Sequence, residues 1–395
     1  MTNPAGDARN HWFGGRKLTE RFDLAVVGAG ILGLATALAG ARRGLKVVVI
    51  DRDNQANGAS VRNFGFITVT GQQRGDMWRR ARRSREVWRE VAVAAGIPVI
   101  HTGMWMLARR PESVAVLESF LTTEMGEGCR LLTPQELRAV NPRIAGSRTL
   151  AALESRIELR VESREAIPLL AAWLERAHGV TFLRNTSVLN VAPPEVRTSR
   201  GTVQAERVAV CPGDDFNSLF AGRLGGLGLT RCKLQMLRLA DPGFRLPGSL
   251  MSDMGLGRYL GYAELAQAAP LKARLASEQA AHLANGVHLI VVQSADGTLV
   301  VGDSHHYATT PDPFGHDDVD ALILDEFRQA LGFEPPPVLE RWTGTYASAP
   351  DRQVVLDAPD PDVRIATVTT GAGASTGFAV GEEVVNSFFD TGAAA

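Results

Sequence analysis

The patterned part of the chain opens with an apolar run, Phe22–Val27, that breaks on Gly28-Ala29-Gly30-Ile31-Leu32-Gly33. Apolar residues then continue to Arg43, Gly44 interrupts them, and a second apolar run, Lys46–Ile50, ends on Asp51. Short apolar runs on either side of a helix-length segment predict a βαβ unit with two buried parallel strands. A polar, glycine-punctuated loop follows from Arg52 to Gly65. From Asp76 to Ala95 the apolar positions Met77, Trp78, Ala81, Val87, Trp88 and Val91 recur at three- and four-residue spacing, which predicts a long helix. The five arginines between Arg79 and Arg85, with Glu86 and Glu90, read as its solvated face. Short strands are predicted over Pro98–Leu107, and helices around Val114–Thr122 and after Thr133, where Thr133 and Glu136 form a capping box and Pro134 fills the first turn. Glu165–His178 is amphipathic, residues 181–196 read as strand, turn and strand, and Arg207–Val210 closes on Cys211-Pro212-Gly213. Between about 225 and 340 strand-like runs (Lys233–Leu239, Val287–Val292, Thr298–Gly302) alternate with long insertions and a helix near Val319–Leu331. The strand Val363–Thr369 then runs into a glycine loop, Gly371–Gly377, and a helix to Phe389.

Nucleotide-type elements at both ends, with a different texture between them, predict an α/β protein. Its Rossmann-type dinucleotide domain is discontinuous (21–96, 150–222 and 338–395) and encloses an α+β domain of mixed or antiparallel sheet (97–149 and 223–337) that takes the substrate. Residues 1–20 are polar and glycine-rich, read as a loose extension without the apolar core of a signal peptide. A net charge of −1 gives no reason to expect nucleic acid or an anionic membrane as partner. The cysteines (Cys129, Cys211, Cys232) have no metal-ligand spacing and suit a reducing cytoplasm.

The opening unit carries chemistry as well as fold. Gly28 permits a tight turn, Gly30 lets backbone approach a pyrophosphate, and Gly33 lets helix and strand pack closely, while Ile31 and Leu32 begin a helix whose free N–H groups face the phosphates. Asp51 stands 18 residues beyond Gly33 (51 − 33), where a carboxylate meets a ribose hydroxyl. Three features favour FAD over a nicotinamide. The chain returns to the nucleotide at Val188 and at Val208–Gly213. The C-terminal loop aims a second helix N-terminus at the ring, where its dipole stabilises a reduced flavin. No second GxGxxG unit is present to hold a pyridine nucleotide.

The GAGILG unit, the loop Ala59-Ser60 to Asn63-Phe64-Gly65, Trp342-Thr343-Gly344 with Ala349-Pro350-Asp351, and the C-terminal glycine loop together resemble the D-amino-acid oxidase superfamily, which includes glycine and sarcosine oxidases. GASVRNFG, RRARRSREVW, RCKLQMLR and GDSHHY narrow the resemblance to a branch associated with phosphonate metabolism. The resemblance is weak from about 240 to 285. It implies non-covalent FAD and oxidation of the C–N bond of a small amine, by hydride transfer to the flavin and hydrolysis of the imine, with no obligatory general base. Substrates such as 2-aminoethylphosphonate or its N-methyl derivative are implied by the narrower branch. An amino-acid oxidase or dehydrogenase of the glycine- or sarcosine-oxidase type, and a flavin-binding protein without turnover, stand as alternatives. Carried over to this chain, the cofactor residues are Gly28, Gly30, Ile31, Leu32, Gly33, Asp51, Arg52, Ala59, Ser60, Asn63, Phe64, Gly65, Val188, Gly213, Gly371, Gly373, Ser375, Thr376, Gly377 and Phe378.

Departures from the family pattern bear on the substrate. Tyr346 stands where amino-acid oxidases place a carboxylate-clamping arginine, Gly344 where sarcosine oxidases carry the flavin-linking cysteine, and Val300 where they carry a lysine that speeds reaction with oxygen. The electron acceptor is therefore oxygen or another oxidant. Substrate contacts are expected from Tyr346, from His305 in preference to His306, from the strand face carrying Lys233 and Gln235, and from Arg62, which suits a phosphonate, the FAD pyrophosphate or a plain loop position equally. Trp105, Tyr259 and Tyr262 read as packing residues near the pocket. No metal is expected, because the histidine pair has no ligand company in the sequence.

Overall fold

The computed structural model describes residues 20–144 and 148–389, so the N-terminal extension falls almost wholly outside the described residues. Two sheets organise the chain. In the first, the apolar runs at the start pair in parallel, with Leu24 opposite Val47 on one side and Arg207 on the other. Val208 in turn sits opposite Val363 of the last strand, also in parallel. The order across the sheet is Val354–Asp360, Val363–Val368, Gly201–Val210, Arg21–Val27, Val47–Ile50 and Thr181–Leu183. Strands from both ends of the chain thus lie in one sheet, on either side of Gly201–Val210.

Such continuous apolar strands need cover on both faces. The helices Ile31–Arg42, Asp76–Ala95, Ser163–His178 and Gly373–Asn386 supply it on one side, sharing a core with Leu24, Val26, Val47 and Val49. Each of these fully buried aliphatic side chains contributes roughly 1.5–3 kcal/mol. The opening and C-terminal helices touch almost backbone to backbone, since a Cβ on Gly381 would lie 2.7 Å from the Thr36 nitrogen. Phe378 meets Trp88 edge-on at 5.1 Å, and the Trp88 indole donates to the Ala374 carbonyl at 2.7 Å.

The arginines of Asp76–Ala95 are less free than a solvated face implies. Arg80 forks onto Glu383 with two bonds of 2.8 Å, Arg83 pairs with Glu382, and Arg85 donates to the Ile157 carbonyl. Two of them therefore clamp the C-terminal helix, which hydrophobic spacing within one helix does not disclose.

The second sheet has ten strands among the described residues and is mostly antiparallel. Thr230–Leu239 is its spine and pairs with Val338–Ser348 along nearly its whole length. Ala151–Val161 and Val338–Ser348 lie in this sheet, within the stretches 150–222 and 338–395 expected to belong to the dinucleotide domain. The region 240–285, where no elements were predicted, holds the strand Ser249–Ser252, a turn of 3-10 helix at Asp253–Gly257 and the helix Ala268–Glu278.

The predicted capping box forms: Thr133 Oγ1 accepts from the Glu136 N–H, and the Glu136 carboxylate accepts from the Thr133 N–H at 2.7 Å. Thr133→Ala is expected to lower stability by about 1 kcal/mol, read as a shift in the urea midpoint at unchanged slope.

Candidate active site

A cavity of about 690 Å³ runs along the carboxyl ends of the parallel strands and continues under the second sheet. That size lies within the usual range for cofactor sites, and the ends of parallel strands are where an open α/β sheet binds its ligands. The opening glycines form its floor. Gly28 has φ +103°, and a Cβ there would lie 2.5 Å from the Cys211 carbonyl oxygen. At Gly33 a Cβ would lie 1.9 Å from the Gly28 carbonyl oxygen, so any side chain pries the helix off the turn. The N–H of Ile31, at the start of the helix, donates to Ser60 Oγ at 2.9 Å. Asp51 closes the second strand and accepts from the Ala29 N–H at 2.5 Å and the Asp53 N–H at 2.8 Å, which holds its carboxylate on the wall.

Around this floor the wall carries Gly30, Leu32, Arg52, Ala59, Asn63, Phe64, Val188 and Gly213, with Gly371, Gly373 and Ser375 from the C-terminal loop. Arg52 is tied to Asp215 at 3.0 Å, and Ser375 Oγ accepts from the Thr68 N–H at 3.0 Å. Four expected residues stay off the wall. Gly65 has its face filled by the Val161 carbonyl, Gly377 packs on Ile31, Thr376 bonds back to the Ala372 carbonyl, and Phe378 turns into the core against Trp88. Once the helix starts at Gly373, successive side chains rotate away, so only its first residues face the cavity. Gly344 is on the wall, and a Cβ there would lie 3.2 Å from Arg62. Arg62 lines the cavity with its guanidinium engaged by the Asn57 side chain at 3.2 Å and the Thr343 carbonyl at 3.4 Å.

Beyond the glycine loops, Tyr346, His305, Leu234 and Ile290 continue the wall under the second sheet. Tyr346 packs its ring on Gly371, where a Cβ would lie 3.1 Å from Cζ. Lys233 and Gln235 are not there. Leu234, between them in the strand, takes the inward position, and period-two alternation sends its neighbours to the opposite face. Lys233 Nζ binds Asp312 and the Phe314 carbonyl, while Gln235 binds Asp320 and both backbone groups of His316. Both fix the loop that leads into the helix Asp317–Leu331. Of the histidine pair, His305 is on the wall and His306 is not, bonding Asn285 instead. Tyr259 also lines the cavity, whereas Trp105 and Tyr262 are core, as is Val300.

Among the charged or titratable wall residues that sequence reasoning misses, Arg258, His288 and Asp303 stand together. Arg258 follows the turn Asp253–Gly257, which is pinned because Asp253 accepts from the Arg109 N–H, the Arg110 guanidinium and Ser113 Oγ at 2.9–3.0 Å. The Arg258 guanidinium donates to the Tyr307 hydroxyl at 2.9 Å and, among the described residues, pairs with no carboxylate. Burial opposes its charge, but the phenols of Tyr346 and Tyr307 and the carboxylate of Asp303 outweigh that and hold its pKa above the ordinary arginine value. His288 and Asp303 exchange backbone hydrogen bonds just beyond the ends of the paired strands Ile290–Gln293 and Leu299–Gly302, and with His305 they bring three potential ligand groups within 4.8 Å. The histidine therefore has the company that sequence spacing did not show, because His288 reaches it through sheet pairing. Burial pushes Asp303 up to about 7 against the pull of Arg258, and burial followed by Arg258 drives both imidazoles well below their usual value. Asp303 stood in view within GDSHHY, and Arg258 was a lone cation among glycines and tyrosines in GLGRYLGY.

A floor shaped for a pyrophosphate, flanked by one helix start from each end of the chain, suits a dinucleotide, and a sheet-roofed chamber beyond it suits a redox flavoenzyme. The chain matches the profile of the family described as FAD dependent oxidoreductase (DAO) over residues 23–387, and it belongs to that family. FAD is accordingly its cofactor, and the glycine positions that exclude a Cβ fit that group. A glycine oxidase of Geobacillus kaustophilus (strain HTA426) is 26% identical over 233 residues, which are 54% of this chain and 59% of that relative. The chain thus aligns with about three-fifths of the relative's length. Among solved structures, glycine oxidase from Bacillus cereus ATCC 14579 superposes with a TM-score of 0.74 at 16% identity, covering 93% of this chain and 95% of the other. L-proline dehydrogenase from P. horikoshii does so at 0.74 and 20%, covering 94% of each. These likenesses establish the shared fold. No helix among the described residues is long and apolar enough to cross a membrane.

Proposed function

We propose that the protein oxidises the C–N bond of a small amine that also carries an anionic group. The observation that carries this reading is Arg258, a permanently charged guanidinium on the cavity wall that forms no ion pair with a carboxylate among the described residues. A cation so placed is complementary to a carboxylate or phosphonate, and it stands where Tyr346 cannot act as the fork. A phosphonate, with three oxygens, offers the guanidinium fork more acceptors than a carboxylate does. This favours aminophosphonates such as 2-aminoethylphosphonate or its N-methyl derivative. The second reading, an amino-acid oxidase or dehydrogenase, rests on the same arginine holding a carboxylate. Bound FAD supplies the hydride acceptor, while the residues of the chain bind, orient and enclose the amine.

Anaerobic mixing of the yellow holoenzyme with simple amines, amino acids and aminophosphonates decides between these readings. Bleaching by the aminophosphonates alone supports the first, bleaching by glycine or sarcosine the second, and bleaching by none leaves a flavin-binding protein without turnover. Peroxide formed in air then identifies oxygen as the acceptor.

A further inference from the structure

The wall opposite the flavin-binding loops holds more acceptor atoms than it can satisfy. His305 Nδ1 lies 2.8 Å from the Gly286 carbonyl, which has no proton to give, so the neutral ring carries its proton there and presents a lone pair at Nε2. That lone pair faces Asp303 Oδ2 at 3.7 Å. On the other side, His288 Nδ1 lies 3.4 Å from Asp303 Oδ1, and neither atom has a hydrogen-bond partner among the described residues. All three residues are more than nine-tenths buried. Unsatisfied buried acceptors of this kind cost free energy unless a donor enters among them.

We propose that Asp303 receives the ammonium proton of the bound amine, with His288 and His305 flanking the carboxylate and sharing the ammonium donors. The proposal rests on the amine reading above and deepens it by assigning a proton acceptor. A small aliphatic amine binds as its ammonium form, with a pKa of roughly 10 by analogy with lysine. An ammonium nitrogen has no lone pair to stabilise the carbon from which a hydride departs, so one N–H proton has to leave first. In that step the N–H bond breaks, its electron pair stays on nitrogen, and an O–H bond forms at Asp303 Oδ2. Nothing is oxidised or reduced. This task differs from that of a C–H base, which the family resemblance does not call for.

Environment suits Asp303 to the role. The titratable and charged groups facing it are Cys232, Arg258, Tyr259, His288 and His305. Of these only Arg258 is charged near neutrality, and burial outweighs it, raising the carboxyl to about 7. The gap to the ammonium is then about half of what an ordinary carboxylate near 3.9 would leave, and the nearby guanidinium narrows it further by lowering the pKa of the bound amine. The same guanidinium disfavours a divalent metal ion in this three-residue cluster, whereas a single proton adds no net charge to the occupied site.

The test uses the holoenzyme with glycine, sarcosine and 2-aminoethylphosphonate as donors under anaerobic conditions. The flavin-reduction rate should fall as pH drops through about 7, because a protonated Asp303 accepts nothing. Asp303→Asn should reduce the flavin about a hundred-fold or more slowly, and lose that limb while keeping its FAD. Infrared titration of the unsubstituted holoenzyme, without any donor, should show one carboxylic-acid C=O band disappearing as pH rises through the same region. Absence of both the limb and the band overturns the proposal without recourse to a variant. An Asp303→Asn enzyme with unchanged rate and pH profile overturns it alone, while failure of all three donors removes the amine reading and the proposal together.

Discussion

Replacing Arg258 with methionine is expected to lower kcat/KM for an anionic amine by about 30-fold to several thousand-fold, the equivalent of removing one partner of a buried charge pair at roughly 2–5 kcal/mol. Flavin content and melting temperature should hold, because among the described residues Arg258 forms no ion pair with a carboxylate and donates a hydrogen bond to the Tyr307 hydroxyl. The segment itself is anchored independently, through Asp253 and its three donors. Arg258→Lys should recover part of the loss, since an ammonium keeps the charge but lacks the fork. A control amine without an anionic group separates anchoring from general damage and should lose far less than the anionic donor, its residual loss reflecting only the charge of Arg258 beside Asp303. Steady-state kinetics on the paired donors measures this, and a uniform loss for both would remove Arg258 from the substrate site.

Gly33→Val should yield a colourless protein. The added Cβ would lie 1.9 Å from the Gly28 carbonyl oxygen, a backbone atom that cannot swing aside as a side chain can. Overpacking costs about 1–3 kcal/mol, and here it falls on the turn that presents the helix start to the pyrophosphate. FAD affinity should drop by about a hundred-fold, the upper end of that range. Gly222→Ala, with nothing within 4 Å of its Cβ, is the matched control and should remain yellow. Flavin absorbance after gel filtration, with circular dichroism to check the fold, reads the outcome.

The contrast between these two sites explains what the sequence disclosed. Gly28, Gly30, Gly33 and Asp51 are bound by short-range geometry: a turn, a helix start and a strand end within one βαβ unit, which spacing reports directly. The C-terminal loop was legible for the same reason, up to the point where helical rotation carried Thr376, Gly377 and Phe378 off the wall. The chamber beyond is assembled from residues far apart in the chain. Asp303 and His288 meet through sheet pairing, and Arg258 arrives on a short turn of 3-10 helix in a stretch where no periodicity was visible. The run Lys233–Leu239 is legible as a strand, but the face it turns to the cavity is the one carrying Leu234 rather than Lys233 and Gln235. Lys233 and Gln235 are polar for an internal reason, to hold the loop before Asp317–Leu331, and polarity alone does not reveal which side of a sheet is empty.

The adjacency of the chain's two ends has a thermodynamic consequence. Because Gly28–Gly33 and Gly371–Ser375 line one cavity, FAD acts as a non-covalent cross-link between the first and last segments of the described fold. A ligand that binds only when both are docked stabilises both by the same increment, growing with the logarithm of its concentration. Amide exchange in Ile31–Arg42 and Gly373–Asn386 should therefore slow in parallel as flavin is added. Release of the C-terminal helix, with its Arg80 and Arg83 clamps undone, then becomes an exit route for the cofactor, and salt that loosens those ion pairs should hasten flavin loss.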